Sequence, residues 1–170
     1  MTRAAPVLLA AIAAATLGRP APAAREARPA APASDALAVI VNVSNPVENL
    51  SLAELRRIFL LESQTWPHGR RITVVLREPG QPERAEAVSL IAGMTEAQFE
   101  RHVLFLTFRG RIGWGPRSIR SAGAMLRFVY NAPGAVGHVH VSELDGTTKV
   151  LRVGGLPPED ARYPLRRRTP

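Results

Sequence analysis

The chain has 170 residues, no cysteine, and 22 Lys and Arg against 14 Asp and Glu, a formal charge of +8. Without cysteine there is no disulfide, no thiolate chemistry and no lipid-modified cysteine, and the length suits one core domain. The positive balance favours anionic partners in general, and every basic residue except Lys149 is arginine.

Residues 1–23 predict a cleaved secretory signal. Arg3 opens it, Val7 to Leu17 is an apolar run too short to span a bilayer, and Ala21-Pro22-Ala23 offers a small-x-small cleavage pattern. Losing Arg3 and Arg19 with the signal brings the charge from +8 to +6. Residues 24–36, rich in Ala, Pro and Arg, predict a disordered leader. No later apolar run is long enough for a membrane anchor, so the expected home is the periplasm, as a free protein.

Residues 37–156 then predict one folded domain. Leu37 to Val43 is β-branched and almost wholly apolar, as in a strand buried on both faces. Ser51-Leu52-Ala53-Glu54 is a capping box ahead of a helix carrying Leu55, Ile58 and Phe59. Trp66-Pro67-His68-Gly69 reads as a turn with an aromatic anchor, and Arg71 to Leu76 as the second strand. Pro82 suits the first turn of a helix over 83–92, which Gly93 closes. Thr95 to Gln98 is a second capping box, opening a helix with Phe99, Val103 and Leu106. A Gly- and Arg-rich loop follows over 109–117, then a helix from about Ser121 to Tyr130 and a third strand over 135–141. Asp145-Gly146 predicts a hairpin turn into Thr148–Val153, and residues 157–170 a flexible basic tail. Alternation of strand and helix gives an α/β class, with a mixed sheet and helices on both faces.

Four segments, taken together, carry a resemblance: Val41 to Pro46, Leu52 to Leu60, Arg77-Glu78-Pro79-Gly80 and Pro133 to Gly137. In this order and spacing the chain resembles the type 2 periplasmic binding protein superfamily, as a small single-lobe relative of phosphate ABC-transporter substrate-binding proteins. The resemblance implies one α/β lobe, a phosphate-like anion as ligand, and an ABC permease or another envelope protein as partner. It implies no cofactor. In that family the loop after the second strand reads arginine, an acid nearby, then Gly-Ser-Gly-Thr at a helix start. Arg77 matches the arginine, Glu78 the acid and Gly80 the first glycine, whereas Gln81-Pro82-Glu83 replaces Ser-Gly-Thr. Pro82 has no N–H to give an oxyanion, and Glu83 sets a negative charge where the anion would sit.

The expected ligand-binding residues are therefore Ser44, Asn45, Arg77, Glu78, Gly80 and Gln81. Arg77 reads either as an anion clamp or as the ion-pair partner of Glu78 or Glu83. Ser44 and Asn45 leave the first strand at what this reading takes to be the same sheet edge, although Asn-Pro is also an ordinary turn signal. His138 and His140 share one face of a strand, a spacing that could begin a metal site, but no further ligands stand out and packing is the plainer role. Arg109, Arg111, Arg117 and Arg120 surround Trp114, which is expected to fold its loop over the domain edge. Nucleic acid is not an expected partner of an exported chain. No catalytic set stands out, so the chain reads as a non-enzyme. A pairing of two copies into a two-lobed cleft stays open, as does a regulatory envelope protein that binds no ligand.

Overall fold

The computed structural model describes Met1 and residues 36–167. The predicted signal, the leader up to residue 35 and the last three residues of the predicted tail lie outside that description.

β1 (Leu37–Val41) has no solvent-accessible residue. It is an interior strand, next to one edge, of a five-stranded sheet ordered β4-β3-β5-β1-β6, where β3 is Thr73–Arg77, β4 Arg117–Ile119, β5 Ala135–His140 and β6 Lys149–Val150. β3 runs parallel to β4 and β5, and β1 runs antiparallel to β5 and β6. Leu37 thus faces His140 while Val41 faces Val136, so the carboxyl ends of β3 and β5 share one edge with the start of β1. The chain leaves β1 at the opposite edge. Two short strands, β2 (Asn49–Leu50) and β7 (Arg152–Val153), pair parallel beside the main sheet.

Helices cover both faces, as the mixed α/β reading expects. On one face lie α1 (Leu52–Phe59), α2 (Pro82–Ala87) and α3 (Glu96–Phe108). Both capping boxes form: Ser51 and Glu54 exchange bonds at α1, and Thr95 and Gln98 at α3. α2 widens into a π turn over Val88–Ala92, which ends at Gly93 with φ of 67°, a left-handed value that suits glycine. Leu55, Phe59, Val88, Ile91 and Phe99 pack here against Val39, Val41, Val74 and Leu76. On the other face α4 (Ala122–Asn131), capped by Ser121, buries Met125, Leu126 and Val129 against Ile40, Val75 and Val139. Alternate residues of β1, β3 and β5 feed opposite cores, as in strands covered on both faces.

Three expectations change. The hairpin over 135–153 does not form, because β5 already has β3 on one side and β1 on the other; β6 pairs with β1 instead. The tail is not free over 157–167. Tyr163 and Leu165 are 3% and 0% exposed, the Leu37 N–H donates to the Leu165 carbonyl at 2.9 Å, and Ala36 bridges Arg166. Trp114 does not anchor its loop: it is 81% exposed, and Ile112 at 6% is the buried residue there. Trp66 is the anchor expected of its turn, 2% exposed, with its indole N–H on the Gly134 carbonyl at 3.1 Å. The described residues 36–167 fall within one compact unit.

Candidate functional site

The carboxyl edge of β3 turns sharply at Gly80, whose φ of 81° suits glycine, and enters α2 through Pro82 at its first position. Arg77 closes the strand with only 12% of its side chain exposed, and one of its terminal nitrogens stands 3.8 Å from Glu83. Its Nε and Nη1 are buried with no hydrogen-bond partner among the described residues. A guanidinium so placed keeps most of its donor capacity unspent, at a desolvation cost that an anion could relieve.

Around it the loop is knitted by acids of the chain itself. Arg84, 6% exposed, donates to the Arg77 carbonyl at 3.0 Å, pairs with Glu96 at 2.8 Å and lies over the Phe99 ring. The same Glu96 carboxylate accepts the Gly80 N–H at 3.0 Å. Glu78 pairs with Arg120 at 3.5 Å, and the Gln81 amide donates to the Arg120 carbonyl at 3.2 Å. Between the two readings of Arg77, its carboxylate neighbour is Glu83 and not Glu78.

β5 contributes His138 and His140 from the adjacent position. His138 is 1% exposed, and neither ring nitrogen has a partner among the described residues. Burial, then the nearby Arg77 charge, pushes its imidazole down to about 3, so it is neutral at ordinary pH. His140 lies 3.4 Å from Glu86, which Arg167 of the C-terminal segment also holds at 2.9 Å. No cluster of three or more metal-ligating side chains occurs among the described residues. Between Arg77, Glu83, His138 and Glu143 runs a narrow gap that does not admit a water molecule as it stands.

Arg77, Glu78, Gly80 and Gln81 are thus brought together, with the chain's own carboxylates among them. Ser44 and Asn45 are not. They stand at the opposite edge, because β1 runs antiparallel to β5 while β3 runs parallel to it. There Asn42 accepts the Ser44 N–H at 2.9 Å and hydroxyl at 2.7 Å and donates to the Val129 carbonyl at 3.1 Å, tying the turn to α4. Asn45 accepts the Val47 N–H at 3.0 Å and is 2% exposed. Both are turn staples. A larger cavity, about 550 Å³, opens at the far end of β3 between Ile72, Val74, Ile112 and Trp114, away from the Arg77 cluster.

Sequence reasoning passed over Arg84, Glu96 and Glu86. The signal that could have raised Arg84 is its place at the first turn of a helix directly after the arginine-glycine loop. For Glu96 it is a first-turn acid on the next helix, within reach of that loop.

No family model matches the chain. Solved structures similar to it include three phosphate-linked proteins. One is an ABC-type phosphate transport receptor from Vibrio cholerae, with TM-score 0.62 and 22% identity over 78% of this chain and 55% of that one. Another is a putative phosphate ABC transporter substrate-binding protein with bound phosphate from Clostridium perfringens, with TM-score 0.59 and 20% identity over 74% and 49%. A third is PstS from Borrelia burgdorferi, with TM-score 0.57 and 15% identity over 72% and 49%. The chain spans about half the length of these proteins. At this identity the likeness speaks for the fold: over the part it spans, the chain has the architecture of phosphate ABC-transporter substrate-binding proteins, the resemblance that its strand-loop-helix segments carry.

Proposed function

We propose that the chain is an exported domain of solute-binding type that takes a small oxyanion, phosphate or a chemical relative, at Arg77. The observation that carries this is the Arg77 guanidinium, seven-eighths buried at the carboxyl edge of β3, with two nitrogens lacking partners among the described residues. α/β sheets place ligands at such edges, and the similar solved structures include one with bound phosphate. The site differs from an open anion cradle in that Glu83 stands beside Arg77 and Glu96 occupies the Gly80 N–H. An incoming anion has to displace Glu83 from Arg77, so binding is weak, on the order of millimolar. The work is capture, with an ABC permease as the partner class that the fold neighbours suggest. Among the described residues no helix is long and apolar enough to cross a membrane.

A thermal-shift panel of phosphate, sulfate and arsenate on residues 31–170 tests this. At ten times Kd, a ligand bound only by the folded state stabilises it by about 1.4 kcal/mol, several degrees in Tm. The shift is expected to disappear in Arg77→Ala. No shift with any of the three anions sinks the reading.

The second reading, an envelope interaction or regulatory protein on the same scaffold, is favoured by one observation: the loop amide and arginines that could meet an anion already meet Glu83 and Glu96.

A further inference from the structure

The last turns of α3 and the loop after it carry a second feature that no part of the anion reading uses. Leu104, Phe105 and Phe108 are 56%, 55% and 83% exposed, and Trp114 is 81% exposed. The first three fall at helical spacing on one side of α3, and Arg101 is a turn earlier on the same side. Large apolar side chains clustered in the open mark an interaction surface. The loop presents Trp114 from a fixed base. Ile112 is buried at 6%, and the Arg111 carbonyl accepts from the Gln64 amide at 2.9 Å, so Gly113-Trp114-Gly115 projects from a held point.

The charge around these side chains is one-sided. Residues 101–120 contain five arginines and no Asp or Glu. All five are exposed, and only Arg120 has a carboxylate partner among the described residues, Glu78 at 3.5 Å. The Arg109 guanidinium lies 5.0 Å from the Phe105 ring centre, so cation and aromatic are interleaved rather than segregated. A second copy of this face would bring arginines against arginines, which disfavours self-pairing. The complementary occupant is anionic outside and apolar beneath.

We propose that this face is a peripheral docking surface for an anionic lipid bilayer. Phe108, Trp114, Phe105 and Leu104 enter the headgroup boundary, and Arg101, Arg109, Arg111 and Arg117 meet the acidic headgroups. Exposed apolar side chains with exposed arginines among them in the same segment, Arg109 lying against Phe105, match the two layers of such an interface, apolar burial below and phosphate contact above. The surface lies on α3 and its following loop, and binding there does not depend on whether Arg77 takes an anion.

The chain's two tryptophans make the test direct, because Trp66 is 2% exposed and Trp114 is 81% exposed. Residues 31–170 are mixed with vesicles of phosphatidylglycerol and, separately, of phosphatidylcholine. With the anionic vesicles the expected result is co-sedimentation, a blue shift of emission and quenching by brominated acyl chains; the neutral vesicles give much weaker binding. Phe108→Ser with Trp114→Ser is expected to lower the bound fraction by tenfold or more. Arg109→Gln with Arg111→Gln is expected to weaken affinity roughly thirtyfold, and rising salt to weaken the parent protein likewise. All four positions are exposed, and an unchanged melting curve certifies each variant. The proposal is overturned by unshifted emission with anionic vesicles, by equal binding to both lipids, or by full binding in either double variant. A concentration-dependent shift without lipid also overturns it, and assigns the face to self-association.

Discussion

His138 sits fully buried in β5 with neither ring nitrogen bonded among the described residues, and its neutrality is bound up with stability. Burial and the Arg77 charge hold its folded value down to about 3, whereas in the unfolded chain it titrates near 6.5. Between those values the unfolded state binds the extra proton. The contribution is therefore whole above pH 6.5 and is lost as pH falls, at about 1.4 kcal/mol per unit through the middle of the window. Urea unfolding at pH 6.5 and 4.5 checks this: the parent should lose about 2 kcal/mol more than His138→Phe over that interval. Parallel losses would show that the imidazole is not what titrates. The sequence offered His138 either as a packing residue or, with His140, as the start of a metal site. It could not show that Arg77 is the charge that acts on it most, since the two residues lie on strands that meet only in the sheet.

Among the elements, the passage from α4 into β5 depends on a close approach at Gly134. A Cβ there would stand 2.2 Å from the Arg71 carbonyl, and that carbonyl is backbone, with no room to give. The Gly134 carbonyl also accepts from Thr73 and from the Trp66 indole, so one residue joins β3, the Trp66 turn and β5. Gly134→Ala is expected to cost about 2–3 kcal/mol, read as a lowered midpoint in chemical denaturation with little change in slope. A cost below about 0.5 kcal/mol would mean that β5 shifts freely. Helices and their caps were legible because capping boxes and apolar spacing are local signals: Ser51, Thr95, Pro82 and Gly93 each stand where they were expected. Two-residue strands such as β2 and β7 carry no period of their own. They exist only because Glu48 and Leu50 backbone groups meet Arg152 and Gly154.

Over the whole molecule, strand direction decided what the sequence could not. Placing Ser44 and Asn45 beside Arg77 required β1 to run with β3, and the antiparallel pairing of β1 with β5 sends them to the far edge. The C-terminal segment was read from its arginines, while Tyr163 and Leu165 do the packing. It closes one end of the core, and Arg167 reaches Glu86 beside His140. Leu165→Ala should destabilise the domain by about 2–4 kcal/mol, since the residue is fully buried. A thermal melt unchanged from the parent would show that the segment is dispensable. The Arg77 loop was legible in its residues, from Arg77 through Gln81, because a strand-loop-helix junction is contiguous in the chain. The competition from Glu96 was not, because that acid arrives from the start of α3.

The anion reading turns on Arg77 being contested by Glu83, and one titration tests both sides of that contest. Phosphate is titrated calorimetrically into residues 31–170 as the parent, Arg77→Ala and Glu83→Gln. Binding on the order of millimolar in the parent, none in Arg77→Ala and about tenfold tighter binding in Glu83→Gln is the predicted result. Absence of heat in both the parent and Glu83→Gln, with all three proteins folded, would contradict the account.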